Sequence, residues 1–124
     1  MAEARKSIFI TGAASGMGRE TALLFARKGW FVGAYDVNQA GLDSLAVEIG
    51  GHGLFELLDV ADADAFGAAM ARFGEATGGT LDLMFNNAGV VAGGLLDEQP
   101  WDEIKRVIDI NLIGVIIGDR KSVV

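Results

Sequence analysis

The 124-residue sequence contains no cysteine, and only one proline, one histidine and one tyrosine. Without cysteine there is no disulfide scaffold and no thiolate zinc site. The absence also fits a reducing compartment, so the expected location is cytoplasmic. Basic residues are scarce: 10 Lys and Arg stand against 17 Asp and Glu, for a net charge of -7. A nucleic-acid partner would need Lys and Arg clustered along the phosphate track, so none is expected. A long apolar run is missing too. The longest apolar stretch, Val107 to Ile117, is shorter than the ~20 residues a spanning helix needs and is broken by Asp109 and Asn111, so no membrane segment is expected. Met1 to Lys6 is polar and charged, without the apolar core of a secretory signal. Any anionic ligand would therefore be held by local N–H groups rather than by a basic surface.

What is present is abundant glycine and a regular alternation of apolar patterns. With 51% hydrophobic and 22% charged residues the chain can bury a core, and a single domain over residues 1–124 is expected. Ser7 to Thr11 is a short β-branched and aromatic run ending in a glycine turn, which predicts a buried, central strand. From Met17 to Lys28 the residues Ala22, Leu23, Phe25 and Ala26 fall at helical spacing, and Gly29 stops the helix. Trp30 to Tyr35 is again strand-like and ends at Asp36; Asn38 then caps a helix carrying Leu42, Leu45, Ala46 and Ile49. Leu54 to Leu58 predicts a third strand. Asp62 and Asp64 place negative charge in the first turn of a helix reaching about Thr77, with Phe66, Ala69, Met70 and Phe73 as its face. Leu81 to Phe85 predicts a fourth strand, and Pro100 suits the first turn of a last helix from Trp101 to about Gly118. Strands separated by helices predict an α/β fold, with a parallel sheet of about four strands covered on both faces.

The run Thr11-Gly12-Ala13-Ala14-Ser15-Gly16-Met17-Gly18 joins the first strand to the first helix. Glycines there permit a tight turn and a close backbone approach, and the helix start presents free N–H groups and a positive dipole end to a phosphate. A glycine turn alone is weak evidence, because glycine is 18 of the 124 residues. Asp36 strengthens it: this acid closes the next strand, close to the ~20-residue spacing at which a dinucleotide fold places a carboxylate on the adenosine ribose.

The octet is not the common G-x-G-x-x-G. Together with Asp59-Val60 after the third strand, Asn86-Asn87-Ala88-Gly89 after the fourth, and Asn111 within Ile110-Asn111-Leu112-Ile113-Gly114, it resembles the short-chain dehydrogenase/reductase family. The four motifs stand in the family's order and cover nearly the whole chain, which corresponds to about the first half of a typical member. The resemblance implies a Rossmann-like fold and a nicotinamide cofactor. It implies that Gly12, Gly16 and Gly18 line the pyrophosphate, with Ser15 and Met17 adding backbone N–H groups. Asp36 would take the ribose hydroxyls and repel the extra phosphate of NADP, while Ser15 and Val37 stand where NADP-preferring members often carry a basic residue. NAD is thus the expected cofactor. Asp59 and Val60 would hold the adenine, and Asn87, Ala88 and Gly89 would approach the riboses. Asp59 read simply as a turn residue, and Asn87 as a tie between strand ends, are the structural alternatives.

Asn111 is the one member of the family's catalytic set that the sequence places; it would hold a water in the proton relay and kink the helix. An Asn bonding a backbone carbonyl in an apolar helix is the equal alternative. The rest of the set, a Ser and a Tyr followed four positions later by Lys, has no match here: Tyr35 is followed by Gln39 at that spacing and reads as strand packing. His52 lies in a glycine-flanked loop, and no metal cluster stands out. The family pattern fades after Gly118, so the expectation is a truncated family member that keeps a cofactor site and is inactive alone. Alternatives are a non-catalytic nucleotide-binding or oligomerisation module, and a frameshift or cloning truncation over Asp119 to Val124. A fourth strand left at an edge invites association. The last helix carries two apolar stripes, Ile104-Ile108-Leu112-Val115 and Ile110-Ile113-Ile117, and wants burial on two sides. A homo-oligomer through residues 101–118 or the fourth-strand edge is expected.

Overall fold

The computed structural model describes residues 5–122. Part of the N-terminal segment read for a secretory signal (residues 1–4) and the last two tail residues lie outside them. Within that span, four parallel strands form one sheet in the order β3-β2-β1-β4: β1 (Ser7–Thr11), β2 (Phe31–Asp36), β3 (Gly53–Leu57) and β4 (Leu83–Phe85). Helices α1 (Gly16–Arg27), α2 (Gln39–Ile49) and α3 (Ala63–Thr77) alternate with them. The α/β, Rossmann-like architecture expected from the sequence is the one observed, with strand and helix bounds shifted by one or two residues at most ends.

Alternation along β1 sorts the core into two layers. Ile8 and Ile10 point to one side with Val32 and Ala34, where Ala22 of α1 and Leu42 and Leu45 of α2 cover them. Phe9 points to the other side with Tyr35, under Phe66, Ala69 and Phe73 of α3. Phe9 stacks on Tyr35 with ring centroids 3.9 Å apart and meets Phe73 edge-on at 5.3 Å. Gly33 makes room for this aromatic layer, since a Cβ there would lie 2.7 Å from the Phe73 ring. Tyr35 is fully buried and its hydroxyl has no hydrogen-bond partner among the described residues. Burial, with a further push from the Glu56 carboxylate, holds its phenol well above the ordinary tyrosine range, so it stays protonated at neutral pH. Tyr35 thus packs within its strand layer, as its place in the sequence led one to expect.

The expected Asn38 cap is formed, and Asp62, read from the sequence as first-turn charge, proves to be the N-cap of α3. The Asn38 side chain accepts from the Gly41 N–H at 3.0 Å, and the Asp62 side chain from the Ala65 N–H at 3.0 Å. At the base of the sheet, the Ser7 N–H donates to Asp82 Oδ2 at 2.7 Å and the Ser7 hydroxyl to the Thr80 carbonyl at 2.9 Å, which sets β1 against β4.

The last helix differs from the reading of its sequence. α4 (Trp101–Ile108) runs without a break through a π-helical turn (Asp109–Ile113) into α5 (Gly114–Lys121), three residues beyond the expected end at Gly118. The π turn inserts an extra residue, so the two stripes counted at 3.6 residues per turn do not persist through it. Ile110 and Ile117 pack on the aromatic layer, whereas Ile108, Leu112, Ile113 and Ile116 are exposed. Ile113 therefore belongs outside rather than with Ile110 and Ile117. Gly114 and Gly118 are both buried, and this seat went unread in the sequence. A Cβ on Gly114 would lie 2.6 Å from Val60 Cγ2, and one on Gly118 would collide with the Asn86 side chain. Paired glycines four apart inside a helix, each costing ~1 kcal/mol in propensity, were the available signal of a close approach.

Candidate functional site

Every strand of a parallel sheet ends on the same edge, and here those ends surround a cleft of about 480 Å³. Gly12 and Ser15 after β1, Asp36 and Val37 after β2, Asp59 and Val60 after β3, and Asn87, Ala88 and Gly89 after β4 all line it. The helix beyond adds Arg106 and Ile110, neither of them expected from the sequence. Gly16, Met17 and Gly18 lie at the start of α1, beside the cleft rather than on its lining.

The turn before α1 is closed by contacts that leave no room for side chains. Gly12, with φ +67°, lies against Ala88, whose Cα would be 2.9 Å from a Cβ placed on it. A Cβ on Gly18 would lie 2.6 Å from Asn87 Nδ2 and collide with the Gly12 carbonyl oxygen. Gly16 is the opposite case. Its φ is +57° and nothing stands within 4 Å of its missing side chain, so it opens onto free space. The Ser15 side chain makes no capping bond, and the N–H groups of Ser15, Gly16, Met17 and Gly18 have no partner among the described residues. Four free N–H groups at the positive end of a twelve-residue helix, facing a space that only glycine leaves open, suit a pyrophosphate.

Asp36 is tied down on both oxygens. Its Oδ2 accepts from the Ala14 N–H at 2.9 Å and its Oδ1 from the Asn38 N–H at 3.0 Å. The carboxylate therefore braces the glycine turn against the start of α2 while keeping further lone pairs for a ligand. Val37 beside it is 64% exposed. Asp59 Oδ1 accepts from the Ala61 N–H at 3.0 Å, the turn contact anticipated as its structural role. Asn87 does tie strand ends together: its Nδ2 donates to the Gly12 carbonyl at 3.3 Å. The buried Thr11 hydroxyl completes that tie, accepting from the N–H groups of Asn87 and Ala88 at 3.0 Å each.

Asn111 sits in the middle of the π turn and does not line the cleft. Its Oδ1 accepts from the Val90 N–H at 2.8 Å and its Nδ2 donates to the Val90 carbonyl at 2.7 Å. The side chain clips the loop after β4 to the helix, the backbone-bonding alternative of the sequence reading. Among the described residues no group of three or more His, Asp or Glu could hold a metal ion, and no helix is long and apolar enough to cross a membrane.

A parallel sheet whose strand ends meet a glycine turn, an acid and an Asn-Ala-Gly corner is a Rossmann-like arrangement. The family model described as short chain dehydrogenase matches residues 6–123, and the chain belongs to the short-chain dehydrogenase/reductase family. It is 40% identical over 116 residues to the probable oxidoreductase EphD of Mycobacterium tuberculosis, covering 91% of this chain and 19% of that protein. It is also 40% identical over 116 residues to the 3-oxoacyl-[acyl-carrier-protein] reductase FabG of Thermotoga maritima, covering 89% and 46%. The 3-beta-hydroxysteroid dehydrogenase of Comamonas testosteroni is 31% identical over 118 residues, covering 95% and 46%. A crystal structure titled as a short-chain dehydrogenase/reductase, glucose/ribitol dehydrogenase, from Brucella melitensis superposes with a TM-score of 0.89 at 28% identity, covering 94% and 50%. The chain thus spans less than half the length of these curated relatives. The family generally uses nicotinamide cofactors.

Proposed function

We propose that the chain is the NAD(H)-binding portion of an oxidoreductase, and that the whole protein transfers hydride between NAD and an alcohol or ketone. The observation that carries this reading is the convergence of four strand ends on one cleft beside a helix start with free N–H groups. In it, Gly12, Ser15, Gly16, Met17 and Gly18 hold the pyrophosphate, and Asp36 with Val37 holds the adenosine ribose. Asp59 and Val60 hold the adenine; Asn87, Ala88 and Gly89 approach the riboses. The nicotinamide, when bound, supplies the hydride chemistry. Asn111 acts by fixing Val90 and the loop that follows Gly89. NAD is preferred to NADP because Asp36 puts a negative charge where the additional phosphate would lie. One relative named for reducing a 3-oxo group and another named for dehydrogenating a hydroxyl support the alcohol and ketone class.

These 124 residues contain no Lys four positions after their one tyrosine. Cofactor binding without turnover is therefore expected of the chain by itself. Calorimetry will detect NAD binding, and the purified chain will show no steady NAD-linked oxidation of simple alcohols. Lack of binding at millimolar NAD would overturn the site, and steady turnover would overturn the assignment of inactivity.

We also propose self-association through the last helix or the β4 edge. Ile108, Leu112 and Ile116 expose 46%, 56% and 52% of their surfaces along it, and β4 is an edge of the sheet. Light scattering should give a mass above the 13.0 kDa monomer, falling toward it in the double variant Leu112→Asp, Ile116→Asp. A monomer without substitution would rule this out.

A further inference from the structure

We propose that Arg106 is a cofactor-binding residue that rests its guanidinium against the purine at the adenine end of the cleft. The inference rests on the NAD-site reading and adds a residue to it. Among the cleft-lining residues Arg106 is the one cation, in a lining that also holds the two carboxylates of Asp36 and Asp59. It also lines the two smaller cavities that adjoin the cleft, one with Asp59 and Ala61 and one with Val90 and Val91. Arg106 therefore stands on the shared rim, at the Asp59-Val60 end rather than beside the glycine turn.

Its commitments elsewhere are nil among the described residues. Arg19 pairs with Glu48 and Arg72 with Glu56. The acid nearest in sequence, Asp109, is taken by Lys105 at 2.7 Å. Among the described residues the Arg106 side chain forms no hydrogen bond or ion pair, although three acids, Asp59, Asp102 and Asp109, line the cavity beside it. Its position is fixed by the backbone below: Ile110 packs on the aromatic layer and Gly114 lies against Val60, so the helix cannot draw back from the cleft.

The chemistry that suits this place is stacking rather than phosphate pairing. The free N–H groups that suit the pyrophosphate lie at the start of α1, and the ribose-side acid lies at the end of β2. A planar, weakly hydrated guanidinium in a lining shared with the apolar Val60 and Ile110 stacks on a purine face, and does so in a way an ammonium does not. By the same contact Arg106 lowers the negative potential that Asp36 and Asp59 would otherwise present to an anionic ligand.

Calorimetry on the unsubstituted chain, Arg106→Ala and Arg106→Lys tests this with NAD, NADP and adenosine diphosphate ribose. Arg106→Ala should weaken NAD and adenosine diphosphate ribose equally, by about 3- to 30-fold. Arg106→Lys should restore little of the loss, and the thermal midpoint without ligand should not move. Unchanged affinity for NAD in Arg106→Ala overturns the proposal, as does a loss confined to NADP or a full rescue by Lys, either of which would assign the side chain to a phosphate. Failure of the unsubstituted chain to bind NAD would instead overturn the cofactor site, and this inference with it.

Discussion

Gly18→Ala will unfold at a clearly lower urea concentration than the unsubstituted chain and will lose NAD binding with it. A helix-start glycine replaced by alanine ordinarily gains stability, by at most ~1 kcal/mol of propensity. Here the methyl would collide with the Gly12 carbonyl oxygen and lie 2.6 Å from Asn87 Nδ2. Both neighbours are backbone or backbone-bound, so neither can swing aside. The methyl also enters the space of the 3.3 Å bond from Asn87 to Gly12, which joins the glycine turn to the end of β4. Overpacking together with loss of that bond costs ~2–4 kcal/mol, a large share of the ~5–15 kcal/mol holding a small domain together. Gly16→Ala separates the stability effect from the binding effect. Its methyl meets nothing within 4 Å, so the cost is confined to a φ of +57°, ~1–2 kcal/mol. The same methyl projects into the space proposed for the pyrophosphate, so NAD affinity should fall at least about tenfold while the fold persists. Urea titrations and calorimetry on both variants check this pair. An unchanged midpoint for Gly18→Ala, or normal NAD binding by Gly16→Ala, would reject the account of the turn.

How much of this was legible in the sequence depends on whether a signal was local. The β-branched and aromatic run from Ser7 to Thr11 announced a buried strand, because such residues fill a sheet covered on both faces, while the sorting of Ile8 and Ile10 from Phe9 emerged only with the helices in place. Asn38 announced its helix because a cap is one side chain bonding one N–H three residues on, and Asp62 and Asp64 announced theirs because negative charge suits a helix start. The cleft residues could be gathered because each follows a strand, and parallel strands deliver their ends to one edge. The π turn left no such mark. One inserted residue in the run from Ile108 to Ile117 changes no composition, yet it carries Ile113 outward and brings Gly114 against Val60. Arg106 was invisible for a related reason: which way a helical arginine faces follows from how its helix is seated, and Gly114 and Gly118 determine that seat. Asn111 had two readings from sequence, and distances were needed to find both ends of its amide on Val90.

Asp36→Ala will weaken NAD by about 10- to 100-fold and narrow or abolish its advantage over NADP. A hydrogen bond from a neutral hydroxyl to a carboxylate is worth ~1.5–3 kcal/mol, which sets the scale of the NAD loss. Part of the loss comes from the protein itself, since Ala14 and Asn38 would each lose the acceptor of their N–H. That structural share falls on both cofactors alike and cancels in their ratio. The ratio therefore reports what the carboxylate does at the ribose: NAD loses its ribose acceptor, while NADP loses the repulsion between its phosphate and the carboxylate. Adding Val37→Arg should then bring NADP below NAD in dissociation constant, because residue 37 lines the same cleft at 64% exposure and a guanidinium pairs with phosphate through two N–H groups. Calorimetry with both cofactors on the unsubstituted chain, Asp36→Ala and Asp36→Ala, Val37→Arg measures the ratio directly. A ratio that stays fixed across the three would mean that Asp36 only braces the glycine turn, and the preference for NAD would have to be sought elsewhere in the cleft.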